Sequence, residues 1–187
     1  HGKELSYNNY NDIFASLEIL NTLRTKCGTV IIKHANPCGV SENKVPMISF
    51  KNAYASDPIS AFGGVIACNY KIKKRIALEV SKNFLEVILA KGFDKEALKI
   101  LKKKKNLRII DITNFKIKDL SSIKLFEGSF LLQSKDNVVL DKKKLKCVTK
   151  LKPSKKELAE IRFTFNICKY VKSNAIVLCS NFSTIGI

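Results

Sequence analysis

The segment Lys33-His34-Ala35-Asn36-Pro37-Cys38-Gly39 gathers a cation, an imidazole, an amide and a thiol around a Pro and a Gly that bend the chain. An imidazole takes or gives a proton near neutral pH, and an ammonium beside it can steady a developing anion. A lone histidine is more often a buried, hydrogen-bonded core group. Lys33 argues against that here, because an ammonium taken out of water next to an imidazole is costly unless both groups are used. A metal needs more ligands than His34 and Cys38 supply: zinc takes at least three protein ligands, and the other histidine is His1. The Pro37-Cys38 pair is also found in the zinc deaminase signature, but the H-x-E element is missing and Ser41 stands where the second cysteine would be. A Cys38–His34 nucleophile pair lacks a third group to orient it. So dense a polar cluster is not expected from packing alone.

A second cluster, Ser56-Asp57-Pro58-Ile59-Ser60-Ala61-Phe62-Gly63-Gly64, offers paired glycines for close backbone approach and a flat apolar face at Phe62. Its plain alternative is a turn with a core phenylalanine. Glu86 can accept hydrogen bonds from a ligand or simply finish a strand, and Asn174 taken alone reads as a turn residue.

The elements that must hold these groups follow from the apolar spacing. Asn11 or Asp12 is placed to cap a helix with Ile13, Phe14, Leu17, Leu20 and Leu23 on one face. Gly28 ends that segment, and Thr29-Val30-Ile31-Ile32 is short and β-branched enough to be a buried strand. A helix around 48–56, a strand at Val65–Cys68 and a helix carrying Ile72, Ile76 and Val80 come next. Glu86–Ala90 reads as a strand, Asp94 as the cap of a helix burying Ala97, Leu98 and Leu101, and Leu107–Ile112 as a strand. Such alternation predicts an α/β fold with a mainly parallel sheet covered by helices, and places the Lys33–Gly39 segment at the carboxyl end of a strand, where open α/β sheets bind ligands.

From 113 to 150 only short strand candidates remain, at Ser129–Leu132, Val138–Leu140 and Cys147–Thr149. Ser154 and Glu157 then form a capping box for a helix whose Leu158, Ile161, Phe165 and Cys168 are expected to face inward, with Asn174–Cys179 following as a strand. The chain opens without Met and stops at the apolar Thr184-Ile185-Gly186-Ile187, so a fragment of a longer chain is the expectation.

With 34 Lys+Arg against 16 Asp+Glu the formal charge is +18, and 45% of the residues are hydrophobic, enough for a packed core. Only Arg24, Arg75, Arg108 and Arg162 are arginine, and the lysines form short runs such as Lys102–Lys105 and Lys142–Lys144 without interleaved aromatics. That texture argues against a nucleic-acid reader and for a solvated surface that draws in small anions. The rival readings are a lysine-rich nucleic-acid-binding module and a catalytically inactive fragment. No apolar run is long enough for a membrane helix and HGKELSYNNY is not a leader, so a soluble, cytoplasmic protein is expected. The 6 cysteines should be free thiols, with Cys68, Cys168 and Cys179 as small buried hydrophobes.

Taken together, L-S-Y-N-N (5–9), K-H-A-N-P-C-G (33–39), D-P-I-S-A-F-G-G (57–64), F-L-E-V-I-L-A (84–90), C-V-T-K (147–150), V-K-S-N-A-I-V (171–177) and T-I-G-I (184–187) resemble, in order, the transformylase domain of the bifunctional AICAR transformylase/IMP cyclohydrolase family. The resemblance implies formyl transfer from 10-formyltetrahydrofolate, a co-substrate, to the 5-amino group of AICAR in the synthesis of IMP, with no metal and no covalent intermediate. It implies a cytidine-deaminase-like α/β/α lobe over 1–150 and the beginning of a second, similar lobe over 151–187, working in a homodimer with sites between subunits. The cyclohydrolase domain lies outside the match. The resemblance makes His34 the proton acceptor, Lys33 its catalytic neighbour and Asn174 the residue orienting substrate. It gives Gly63 and Glu86 substrate contacts, with Asn36 and Phe62 as further pocket residues. Lys91 stands where the family commonly has Pro, so the loop after Glu86 is expected to differ.

Overall fold

The computed structural model describes residues 1–23, 27–116, 122–136, 138, 140 and 145–187. Arg24, the lysine run at 142–144 and the middle residue of the 138–140 strand candidate lie outside them.

The helix α1 runs Tyr7–Leu20 and is capped by Ser6, whose hydroxyl accepts from the Asn9 N–H while the Asn9 side chain returns to the Ser6 N–H. The cap therefore falls earlier than Asn11 or Asp12, and both of those residues lie inside the helix. Ile13, Leu17, Leu20 and Leu23 are buried as their spacing requires, while Phe14 is exposed. The strands and helices that follow are β1 (Cys27–Lys33), β2 (Asn36–Asn43), α2 (Pro46–Ser56), β3 (Gly64–Cys68), α3 (Lys74–Ser81), β4 (Leu85–Ala90), α4 (Lys95–Leu101) and β5 (Arg108–Asp111). A separate hairpin, β6 (Ser122–Phe126) with β7 (Ser129–Gln133), precedes α5 (Lys155–Cys168), β8 (Leu178–Ser180) and β9 (Ser183–Gly186). Asp94 caps α4 and the Ser154/Glu157 box caps α5, as their spacing predicts.

One seven-stranded sheet has the order β5-β4-β3-β1-β2-β9-β8. β3, β4 and β5 pair in parallel, whereas β1 is antiparallel to both β2 and β3, and β9 is antiparallel to β2 and β8. Most strands thus point one way, with β1 and β9 reversed. The β1–β2 and β8–β9 pairs are antiparallel because their two-residue connections are too short for a crossover helix: the Lys33–Gly39 segment, expected to bend at its Pro and Gly, holds the turn of a β-hairpin and the first half of its second strand.

Side chains alternate across β1, so Ile31 faces a core with Phe50, Ile66, Ile76, Ile88 and Leu101 beneath α2, α3 and α4. Val30 and Ile32 face the opposite core with Ile13, Leu17, Val65, Val87, Phe163 and Ile167 beneath α1 and α5. The result is a three-layer α/β/α arrangement. β9 joins the sheet through β2, so residues 155–187 extend and cover the layer built by the preceding chain.

Two expectations for this last segment change. Phe163 and Ile167, four apart, are the buried pair on α5, while Leu158, Ile161 and Phe165 are exposed. The helix is apolar on two sides, and periodicity alone does not say which side meets the sheet. Of the expected Asn174–Cys179 strand only Leu178 and Cys179 are paired, in β8, which runs on to Ser180. Cys68 is buried, but Cys168 and Cys179 are half-buried, and all six cysteines are free. Val138, Leu140 and Cys147–Thr149 are irregular. No helix among the described residues is long and apolar enough to cross a membrane.

Candidate functional site

β1 ends at Lys33 and β2 begins at Asn36, paired across a two-residue turn of His34 and Ala35. Both turn residues have positive φ, 55° and 56°. That is the twist a tight hairpin prefers, and it strains non-glycine residues. On β2, Pro37 and Gly39 pair with Ile32 and Ile31, leaving Cys38 as the extra residue of a bulge. A bulge tolerates the missing N–H of a proline and re-aims the side chains beside it.

The turn opens onto a cleft of about 510 Å³ lined by Lys33, His34, Asn36, Cys38, Asp57, Ser60 and Phe62, among others. His34 is exposed and Lys33 half-buried, so the imidazole is not the buried core group that a lone histidine usually is. The Lys33 ammonium donates to the Gly63 carbonyl at 3.0 Å. Gly63 sits at φ +67° and its N–H donates to the Phe84 carbonyl at 2.9 Å, so this glycine joins the end of β1 to the approach to β4. The Phe62 ring packs on Phe84 with centroids 5.0 Å apart. Across the cleft, Asp57 accepts from the Ser60 N–H at 2.9 Å, and hydrogen bonding to Ser60 holds its carboxyl below the usual range.

The cleft lies at the carboxyl end of β1 but at the amino ends of β3 and β4, because β1 is antiparallel to β3. The rule that parallel sheets bind at their carboxyl edge therefore picks the correct end of β1 and the opposite end of its neighbours.

The Cys38 thiol is pushed up to about 11, first by burial and then by the Asp57 charge, so it stays protonated at neutral pH. That removes the thiolate on which a Cys38–His34 nucleophile pair would depend.

Of the residues singled out in the sequence, Lys33, His34, Asn36 and Phe62 share the cleft, and Gly63 adjoins it through Lys33. Glu86 lies toward the same end of the sheet but is engaged elsewhere, accepting from the Asn9 amide at 2.8 Å and standing 3.9 Å from Arg108. Asn174 is exposed and is not among the residues lining the cleft. Its neighbour Lys172 does reach the turn, donating from its ammonium to the His34 carbonyl at 2.8 Å and from its backbone N–H to Asn36 Oδ1 at 3.2 Å. Asp12 was missed as a support of the site: its Oδ1 accepts from the Ala35 N–H at 2.6 Å. The available signal was a carboxylate on the apolar face of α1, which needs a donor when buried.

The family model described as AICARFT/IMPCHase bienzyme matches residues 1–187. A bifunctional purine biosynthesis protein PurH from Thermoanaerobacter sp. is 45% identical over 187 residues, covering 100% of this chain and 36% of that protein. Proteins of the same name from Bacillus cytotoxicus and Bacillus thuringiensis are 41% and 42% identical over 191 residues, again covering all of this chain and 37% of each relative. The chain thus spans little more than a third of the length of these relatives. Among solved structures, the dCMP deaminase of cyanophage S-TIM5 aligns with a TM-score of 0.41 at 9% identity, over 58% of this chain and 99% of that one, a likeness too slight to carry an argument.

Proposed function

The chain belongs to the AICARFT/IMPCHase bienzyme family, and from that premise we propose that it forms part of the formyl-transfer site of a purine-biosynthesis enzyme. The observation carrying this reading is the pairing of His34 and Lys33 in one cleft beside the Gly63 turn. The reaction moves a formyl group from 10-formyltetrahydrofolate to the 5-amino group of AICAR. That amine is a poor nucleophile, because its lone pair is delocalised into the imidazole ring. His34 accepts its proton as the nitrogen attacks the formyl carbon. Lys33 faces the oxygen that gains charge in the tetrahedral intermediate. The intermediate collapses by breaking the bond to folate nitrogen, which takes up a proton.

Asn36 and Phe62 supply a polar group and a flat face in the cleft, and the Gly63 backbone allows a planar substrate to lie close. In this reading Asn174 and Glu86 orient AICAR once the remainder of the site is assembled. In this reading residues 151–187, which add β9 and β8 to the sheet, lead into a second lobe like the first, both cytidine-deaminase-like, and the working enzyme is a cytoplasmic homodimer without a metal. The β6–β7 hairpin supports a partner surface: Ile123, Leu125, Phe126, Phe130, Leu131 and Leu132 are all exposed on a two-stranded unit that has little stability alone.

In the complete enzyme, His34→Ala abolishes formyl transfer and leaves the fold intact; unchanged turnover would dismiss the assigned base. Binding separates this reading from a nucleic-acid module. The enzyme binds AICAR or a folate analogue, whereas a lysine-surface module binds RNA with steep salt dependence.

A further inference from the structure

The peptide between His34 and Ala35 is held at both of its polar ends. Its N–H, on Ala35, donates to Asp12 Oδ1 at 2.6 Å. Its carbonyl, on His34, accepts from the Lys172 ammonium at 2.8 Å. The two groups belong to one planar unit and point in opposite directions. An anion therefore sits at the positive end of this peptide's dipole and a cation at the negative end, both through charge-assisted hydrogen bonds. Turning the peptide over would set its carbonyl against a carboxylate and its N–H against an ammonium.

The turn needs such a hold. Two successive non-glycine residues with positive φ are strained and persist only where their surroundings fix them. Asp12 comes from α1 and Lys172 from the chain after α5, the two helices that cover the same face of the sheet. The Lys172 backbone N–H also holds Asn36 Oδ1, so the residue on the far side of the turn is tied to the same point. His34 Cα lies in the plane of this peptide, so fixing the plane restricts the directions its Cα–Cβ bond can take and thereby helps aim the imidazole.

We propose that Asp12 and Lys172 are positioning residues that aim the His34 imidazole by clamping the His34–Ala35 peptide from its two ends. The inference rests on His34 being the base. Its test measures formyl transfer in the complete enzyme for Asp12→Asn, Lys172→Met and Lys172→Arg, together with hydrogen exchange at the Ala35 amide. Asp12→Asn and Lys172→Met each lower kcat by about tenfold or more while KM for AICAR stays within about twofold, the pattern of a misaimed reacting group. Lys172→Arg keeps a cationic donor and recovers most of the loss. The double variant Asp12→Asn/Lys172→Met loses little more than the worse single one, because both act on one peptide. Ala35 exchange accelerates in Asp12→Asn.

Lys172 is exposed, so its variants keep the test valid should Asp12→Asn fail to fold. Full kcat in Lys172→Met, beside an inactive His34→Ala, overturns the clamp alone, as does a Lys172→Arg no better than Lys172→Met. If instead His34→Ala keeps its turnover while Ala35 exchange still accelerates in Asp12→Asn, the base assignment falls and takes the catalytic purpose of the clamp with it.

Discussion

The Lys33 ammonium donates to the carbonyl of Gly63 at 3.0 Å, tying the last residue of β1 to a glycine at φ +67°. A Cβ added at Gly63 would stand 3.0 Å from that ammonium and 3.2 Å from the Phe84 ring. Gly63→Ala is expected to destabilise the fold by about 1–2 kcal/mol through its left-handed backbone. If Lys33 acts as proposed, the same variant of the complete enzyme is also expected to lose formyl transfer as the ammonium is pushed aside. The urea midpoint and turnover of the same variant check both effects, and an unchanged midpoint would refute the strain.

Lys33→Met retains the apolar stem and removes the donor. The side chain is only half-buried, so the fold is expected to survive. On the proposed role, loss of this donor at a developing oxyanion is expected to lower kcat of the complete enzyme by about a hundredfold or more. Stopped-flow or steady-state turnover, with circular dichroism as the control for folding, decides this; near-normal kcat would remove Lys33 from the chemistry.

Cys38 tests the electrostatics of the cleft independently of activity. With its thiol pushed up to about 11, only about one molecule in a thousand carries the thiolate at pH 8. Alkylation by iodoacetamide is therefore expected to be slow at pH 8 and to rise about tenfold per pH unit until the thiol ionises. The sign follows from burial and the Asp57 charge, which both favour the neutral form. Mass-spectrometric mapping across pH 7 to pH 10 reads it, and labelling of Cys38 as fast as that of the exposed Cys147 would contradict it.

Gly39→Ala probes how closely α2 approaches β2. The added Cβ would collide with the Ala53 carbonyl oxygen, a backbone atom that moves only with the helix. An overpacking cost of about 1–3 kcal/mol is expected, seen as a lowered thermal midpoint. A midpoint equal to that of the unmodified chain would mean that α2 can withdraw at little cost.

The elements most legible in the sequence are those whose pattern has one solution. Thr29–Ile32, Val65–Cys68 and Val87–Ala90 are short, apolar and buried on both faces, so strand is the reading that satisfies their length and composition. Asp94 and Ser154 announce their helices by chemistry that acts within one turn. The reversal of β1 is hidden, because a His-Ala turn lacks the glycine or asparagine that usually marks a tight hairpin. The inward face of α5 is hidden too, since Leu158, Ile161 and Phe165 make as good a stripe as Phe163 and Ile167, and only the sheet decides between them. At the site, Lys33 and His34 are legible as neighbours in sequence. Asp12 and Lys172 reach the same turn from distant parts of the chain, where spacing carries no information.

The two-residue turn at His34 and Ala35 also constrains which changes of length the chain can accept. Successive side chains on β2 point to opposite faces, with Val40 sent into the layer under α1 and α5. Inserting or deleting a single residue between Lys33 and Asn36 would replace the two-residue turn by another turn type, and unless the new turn or the Cys38 bulge absorbed the change, the later side chains of β2 would move to the opposite layer. The bulge can take up such a change only by losing its own geometry beside the cleft. A change of length at this hairpin would thus disturb the cleft through its backbone even where Lys33, His34 and Asn36 were all kept.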